Sequence, residues 1–264
     1  MLKQRFITAV IGIAILAVVL FVLPAWSARS VIALVILAGA YEWGGFIFTD
    51  APGRRYLYVA LVAAAMACLF LAMPGPGVPE SVFVIALIWW LGALAWAFFF
   101  PTPIPTLVFW ATGILVLVPA WAALDYLYQH MPDMLLFVLL IVWVADMGAF
   151  FVGKGFGKVK LAPAISPGKT WEGVLGGVCA VCLLAAAGSR YFVVDLATLL
   201  PFCVAVSLLS VVGDLTVSMF KRTVGVKDSG TLFPGHGGVL DRIDSVTAAA
   251  PLFALGLQWT GISP

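Results

Sequence analysis

Apolar residues in this chain come in unbroken runs of about twenty positions, separated by short polar or Gly/Pro-rich breaks. Hydrocarbon offers a backbone no hydrogen-bond partners, so such runs predict transmembrane α-helices, which satisfy their own amides and carbonyls. Nine spans can be placed, over roughly 6–24, 30–48, 57–73, 81–100, 106–123, 134–152, 172–189, 196–216 and 246–262. Alternating segments of about ten residues, the pattern of a membrane barrel, are absent. The predicted fold class is therefore all-α, a polytopic integral membrane protein of about nine transmembrane helices. The first run follows Lys3 and Arg5 but is too long for a signal-peptide core and lacks a small-residue cleavage site, so it is expected to remain as the first span. Turns such as Pro74 to Pro79 and Pro101 to Pro105 separate the hairpins.

Composition changes the picture only by excluding alternatives. With 64% hydrophobic and 10% charged residues and a mean hydropathy of +1.14, the chain has too few charges to cover a water-soluble domain. A net charge of +2 gives no footprint for nucleic acid. Cys68, Cys179, Cys182 and Cys203 lie in apolar stretches, which argues against a secreted disulfide framework. With the N-terminus inside, twelve of the fourteen Lys and Arg fall on the inner side, leaving only Arg29 and Arg190 outside. This bias predicts that two long polar loops, 153–171 and 217–245, are cytoplasmic. Seven of twelve acids and nine of fourteen bases lie between Asp146 and Asp244. The chain thus reads as one integrated membrane domain, a transmembrane scaffold over 1–133 followed by a catalytic region over 134–264. Glu42 is the exception in the first half. A carboxylate in a span is either functional or a near-interface acid beside the belt residue Trp43.

Two polar blocks carry the candidate chemistry. The first, Asp146 to Gly173, combines glycines with Lys154, Lys158, Lys160 and Lys169, a composition suited to binding phosphate. Gly168-Lys169-Thr170 resembles the end of a P-loop, but Pro163 stands where the first glycine is needed and no βαβ unit surrounds it. Ser166 or Thr170 is placed to cap the following helix, whose free amides would face an anion. In the second block, Gly213 to Ser245, Asp214 sits at the end of a span, and Asp241 and Asp244 share a face if helical. Three carboxylates without soft ligands suit a hard cation such as Mg²⁺, and Lys221, Arg222, Lys227 and Arg242 are at hand for phosphates. Acids that gather a metal beside bases that gather phosphates describe phosphoryl or nucleotidyl transfer. Zinc is disfavoured, because His236 has no cysteine partner in this block.

At these residues the chain resembles the membrane-embedded phosphatidate cytidylyltransferases, or CDP-diacylglycerol synthases. The matching motif is Ser218, Lys221-Arg222, Lys227-Asp228, His236-Gly237-Gly238 and Asp241-Arg242-Ile243-Asp244. Asp146, Ile165-Ser166-Pro167-Gly168-Lys169-Thr170, Trp171-Glu172-Gly173 and Glu42-Trp43 also look like the family. The resemblance implies that phosphatidate attacks the α-phosphorus of CTP, giving CDP-diacylglycerol and pyrophosphate for phospholipid synthesis. It implies Mg²⁺ with a second metal ion, a homodimer, a bacterial inner membrane and catalytic loops facing the cytoplasm. By position, Asp214, Asp241 and Asp244 are the metal ligands; Asp214, Ser218, Lys221, Arg222, Lys227, Asp228 and His236 are catalytic; and Lys154, Ser166, Lys169, Thr170, Glu172 and Arg242 bind substrate or phosphate. Val217 departs from the family pattern, in which many members carry a glutamate immediately before the motif serine, and this departure makes a divergent paralog of reduced activity the alternative within the family. Two rivals are weaker. A CDP-alcohol phosphotransferase needs an Asp-Gly-x-x-Ala-Arg motif that is absent here. A secondary transporter places polar sites near the midplane between repeats, whereas these charges collect at one face.

Overall fold

The structure, a computed structural model, describes residues 17–73, 77–232 and 237–260. Its long helices are α1 (Ala25–Ile47), α2 (Arg55–Ala72), α3 (Glu80–Ala97), α4 (Thr106–His130), α5 (Pro132–Phe156), α6 (Trp171–Tyr191), α7 (Leu196–Thr223) and α8 (Leu240–Thr260). Among the described residues, seven helices, α1 to α7, are long and apolar enough to cross a membrane. They correspond to the second to eighth predicted spans. The first predicted span lies mostly outside the described residues, as do Lys3 and Arg5.

Helix α8 answers to the ninth span but begins at Leu240, taking Asp241, Arg242 and Asp244 into its first turns. Those residues lower its apolar character, and its position explains why they are tolerated. Fourteen of its 21 residues are buried, and it packs against α1, α3, α4, α5 and α7. A helix surrounded by other helices meets little lipid and can carry polar side chains that find partners inside the bundle.

The two polar loops are shorter than the sequence suggests, because both flanking helices run on. Helix α7 continues to Thr223, so Ser218, Lys221 and Arg222 are helical. The helix stops where a glycine first permits it. Gly225 has φ +76°, its amide donates to the Arg222 carbonyl, and the Val226 amide donates to the Lys221 carbonyl, a Schellman ending. In the other loop, residues 160–170 form an antiparallel hairpin of β1 (Lys160–Ala162) and β2 (Ser166–Thr170), the one local departure from an all-α fold among the described residues.

Close helix contact brings the hairpin's neighbours together. Between α5 and α6, a Cβ on Gly177 would meet the Ala145 carbonyl and one on Gly148 would meet the Gly176 carbonyl. Small residues here let two backbones touch, the usual basis of helix association in lipid. An aromatic cluster ties α1, α4 and α7 together: Trp43 donates to the Phe109 carbonyl at 2.8 Å, and its ring lies 5.1 Å from that of Phe220.

Polar ties fall at two opposite ends of the bundle, as alternate crossing requires. At one end Arg29 donates to both Asp125 oxygens, at 2.7 and 2.9 Å, and Trp259 donates to Glu80 at 2.6 Å. The other end holds Asp214, the hairpin and the loop before α8. Removing the Asp125 carboxylate strands the Arg29 guanidinium, so Asp125→Ala is expected to cost about 1–3 kcal/mol. A fall in unfolding temperature in lipid nanodiscs, with little change in specific activity below that temperature, is the expected outcome.

Candidate active site

Helical spacing places Asp214, Ser218 and Lys221 on one face of α7. The Ser218 hydroxyl donates to Asp214 at 3.1 Å. The buried Lys221 ammonium donates to Asp241 at 2.6 Å across the gap to α8. Asp244, one turn further along α8, is buried, with Asp214 and Lys221 nearby. Lys221 therefore acts electrostatically on all three predicted metal-binding aspartates.

The hairpin is fastened over this face. Lys169 on β2 pairs with Asp214 at 2.5 Å, and the Arg222 guanidinium donates to the Ile165 carbonyl at 3.1 Å. At the hairpin base Glu172 accepts the Val159 amide, and Thr170 accepts the Gly173 amide at 3.1 Å as the N-cap of α6. Thr170 and Glu172 thus hold the hairpin in place, and of the two caps the sequence left open Thr170 is the one used.

Below the hairpin lies a groove of about 500 Å³ between α5, α6, α7 and β2. Asp146, Lys154 and Lys169 line it along with apolar Val174, Val178, Leu208 and Val211. Two of its walls, Phe150 and Leu208, are exposed on the flank of the bundle. A compartment with ammonium groups, a long apolar wall and side access can take an amphiphile with an anionic head.

The loop before α8 is closed by two carboxylates. Asp241 accepts the Ser229 amide at 2.8 Å and the Gly238 amide at 2.9 Å, besides Lys221. Burial pushes this carboxyl up, but the Lys221 ammonium and the two amides outweigh it and hold Asp241 below the usual carboxylate value. Glu42, from α1, accepts the Val239 and Leu240 amides and the Ser229 hydroxyl. The glycines of the motif follow from these contacts: a Cβ on Gly238 would strike the Glu42 carboxylate, and one on Gly237, at φ +76°, would strike Asp241.

Of the other predicted site residues, Lys227, Asp228 and Arg242 are exposed, and Ser166 is half-buried in the hairpin. His236 lies outside the described residues. Val217 is fully buried in the apolar core, so a glutamate there would need a partner. The predicted site set contained neither Asp146 nor Glu42, although both stood out as acids within spans, the one signal that finds them.

A multi-helix membrane bundle, with carboxylates and lysines gathered at one end above a lipid-accessible groove, belongs to the class of enzymes that handle phosphates at a membrane surface. The comparisons agree with that class: the profile of the cytidylyltransferase family matches residues 3–260, and the chain belongs to this family. A Pseudomonas aeruginosa protein named phosphatidate cytidylyltransferase is 41% identical over 98% of this chain and 97% of its own. One of that name from Haemophilus influenzae is 37% identical over 96% and 98%, and one from Staphylococcus aureus is 48% identical over 45% and 46%.

Because the Asp241 pKa is lowered on folding, its contribution to stability is fully present above the ordinary carboxylate value and fades as pH falls below it. Unfolding temperatures of wild type and Asp241→Asn, followed from neutral pH into the acid range, should therefore converge as pH drops.

Proposed function

We propose that this protein is a CTP:phosphatidate cytidylyltransferase, making CDP-diacylglycerol and pyrophosphate. The observation that carries the reading is the groove in which Lys154 and Lys169 stand beside an apolar wall, with Lys169 paired to Asp214 at the polar end. A phosphate oxygen of phosphatidate forms a bond to the α-phosphorus of CTP, and the bond to the β-phosphate oxygen breaks, releasing pyrophosphate. The nucleophile is already an anion and needs little help from a base, so the protein's task is to bring two polyanions together in line.

Lys154 and Lys169 hold the lipid phosphate while its acyl chains lie along Val178, Leu208 and Val211. Entry is lateral, past Phe150 and Leu208. Lys221 and Arg242 supply positive charge on the nucleotide side, and Ser218 orients Asp214. Arg222, Thr170 and Glu172 act through the hairpin they brace.

We propose Mg²⁺ as the metal of this reaction. Among the described residues no three His, Cys, Asp or Glu side chains are grouped to hold a metal ion, so Asp214, Asp241 and Asp244 are not gathered as one three-carboxylate site. An open set fits this ion, which keeps waters and takes phosphate oxygens, and Asp214 and Asp244 are neighbouring hard donors. They would hold it, while Asp241 is engaged by the Lys221 ammonium and the Ser229 and Gly238 amides. Bound there, Mg²⁺ would offset the charge developing on the triphosphate and on the departing pyrophosphate. The inner-side excess of Lys and Arg supports a cytoplasmic site, where CTP is available. A bacterial inner-membrane location and a homodimer complete the reading.

Purified protein in nanodiscs, given labelled CTP, phosphatidate and Mg²⁺, is expected to form labelled CDP-diacylglycerol. Chelation by EDTA should stop the reaction and added Mg²⁺ restore it. Asp214→Ala should lower the rate by at least about 100-fold without unfolding the protein. Near-normal output from that variant would defeat the assignment of Asp214.

A further inference from the structure

Glu42 stands in the first described helix, far in sequence from the residues that meet the substrates, and it is only 7% exposed. Its two oxygens take three donors from a single loop: Val239 N–H at 2.9 Å, Leu240 N–H at 2.8 Å and the Ser229 hydroxyl at 2.6 Å. Ser229 enters the loop and Val239 and Leu240 leave it, so one carboxylate joins both ends. The same two ends are joined again by Asp241, through the Ser229 and Gly238 amides. Gly230 and Gly238 both lie against Glu42, with no room for a side chain. The Leu240 amide opens α8, so Glu42 also places negative charge at the N-terminus of the helix that carries Asp241 and Asp244.

We infer that Glu42 is a positioning residue for the transfer reaction: its buried carboxylate clasps Ser229 to Val239 and Leu240 and sets the first turn of α8, which orients Asp241 toward Lys221 and holds Asp244 near Asp214. Substrate contact is not part of this role. The inference rests on the proposed cytidylyltransferase reading for its kinetic consequence, but the clasp itself is independent of it. A neutral anchor of the same shape is a poor substitute. Three donors converge on the two oxygens, and an amide in place of the carboxylate turns an –NH₂ group toward at least one of them.

The test uses the full chain in nanodiscs, comparing wild type, Glu42→Gln and the milder Ser229→Ala. Three quantities are measured: unfolding temperature, kcat and KM for CTP and phosphatidate, and hydrogen exchange at the amides of Val239 and Leu240. Glu42→Gln is expected to remain folded, to lose about 10–100-fold in kcat as supporting residues of reactive carboxylates commonly do, and to leave KM for phosphatidate within about threefold. Exchange at Val239 and Leu240 should accelerate while the α5–α6 pair is unchanged. Ser229→Ala, which removes one of the three donors, should show the same pattern with a smaller loss. Wild-type kcat in Glu42→Gln overturns the inference. So does a loss that only tracks the fraction unfolded, or a Glu42→Gln protein that does not fold, since either makes Glu42 a residue of assembly. If wild type itself makes no CDP-diacylglycerol, the functional reading fails instead, and exchange at the two amides still decides the clasp.

Discussion

Glu42 and Asp241 are carboxylates enclosed by a helical bundle, and together they collect the backbone amides of Gly238, Val239 and Leu240 at the start of α8, that of Ser229, one hydroxyl and one ammonium. An ionised group removed from water must be met by donors or else give up its charge. Meeting that demand here draws together α1, α7, α8 and the loop before α8. Lys221 cannot reach Asp241 unless α7 continues past the membrane span. The motif glycines are needed because the loop backbone must approach two carboxylates closely enough to donate to them. Asp244 faces Asp214 only once the first turn of α8 is set.

The second organising feature is the separation of the groove from this clasp. Close packing of Gly148 and Gly177 brings α5 and α6 together, and the hairpin that joins them is pinned to α7 through Lys169 and Arg222. An apolar slot open to the side of the bundle thus ends beside paired acids and ammonium groups. Under the proposed function a lipid and a water-soluble nucleotide would meet there without either leaving its own solvent, which suits charges placed at the end of the bundle and not at its midplane.

Much of this was legible in the sequence. Runs from 30 to 216 marked seven helices, most ends within about four residues, with the start of α1 set five residues late and the ends of α4 and α7 seven residues early, since length and apolarity suffice where lipid is the solvent. Lys221, Asp214 and Asp241 were picked out because charges are scarce in such a chain. Helix ends were read less well. The predicted span ends at 216 because charged residues follow from Lys221, whereas the helix runs on to Thr223, after which Gly225 permits the left-handed turn. The hairpin over 160–170 was missed because its pairing follows from backbone register in a short Gly/Pro-rich stretch that carries no alternation to betray it. Asp146 and Glu42 were conspicuous as acids, but nothing in their spacing connected them to residues so distant along the chain.

The solvent, the helices and the inventory of charged groups can be read from the chain alone, because each is a property of local composition. Which charge meets which was decided only by the tertiary structure. Lys221 lies twenty residues from Asp241, and Glu42 nearly two hundred from the amides it accepts. Such pairings depend on how helices cross, and crossing is set by small residues and aromatic contacts spread through the whole bundle. The sequence therefore singled out Asp241 as a candidate metal ligand, and the fold added that its oxygens accept the Lys221 ammonium and the Ser229 and Gly238 amides.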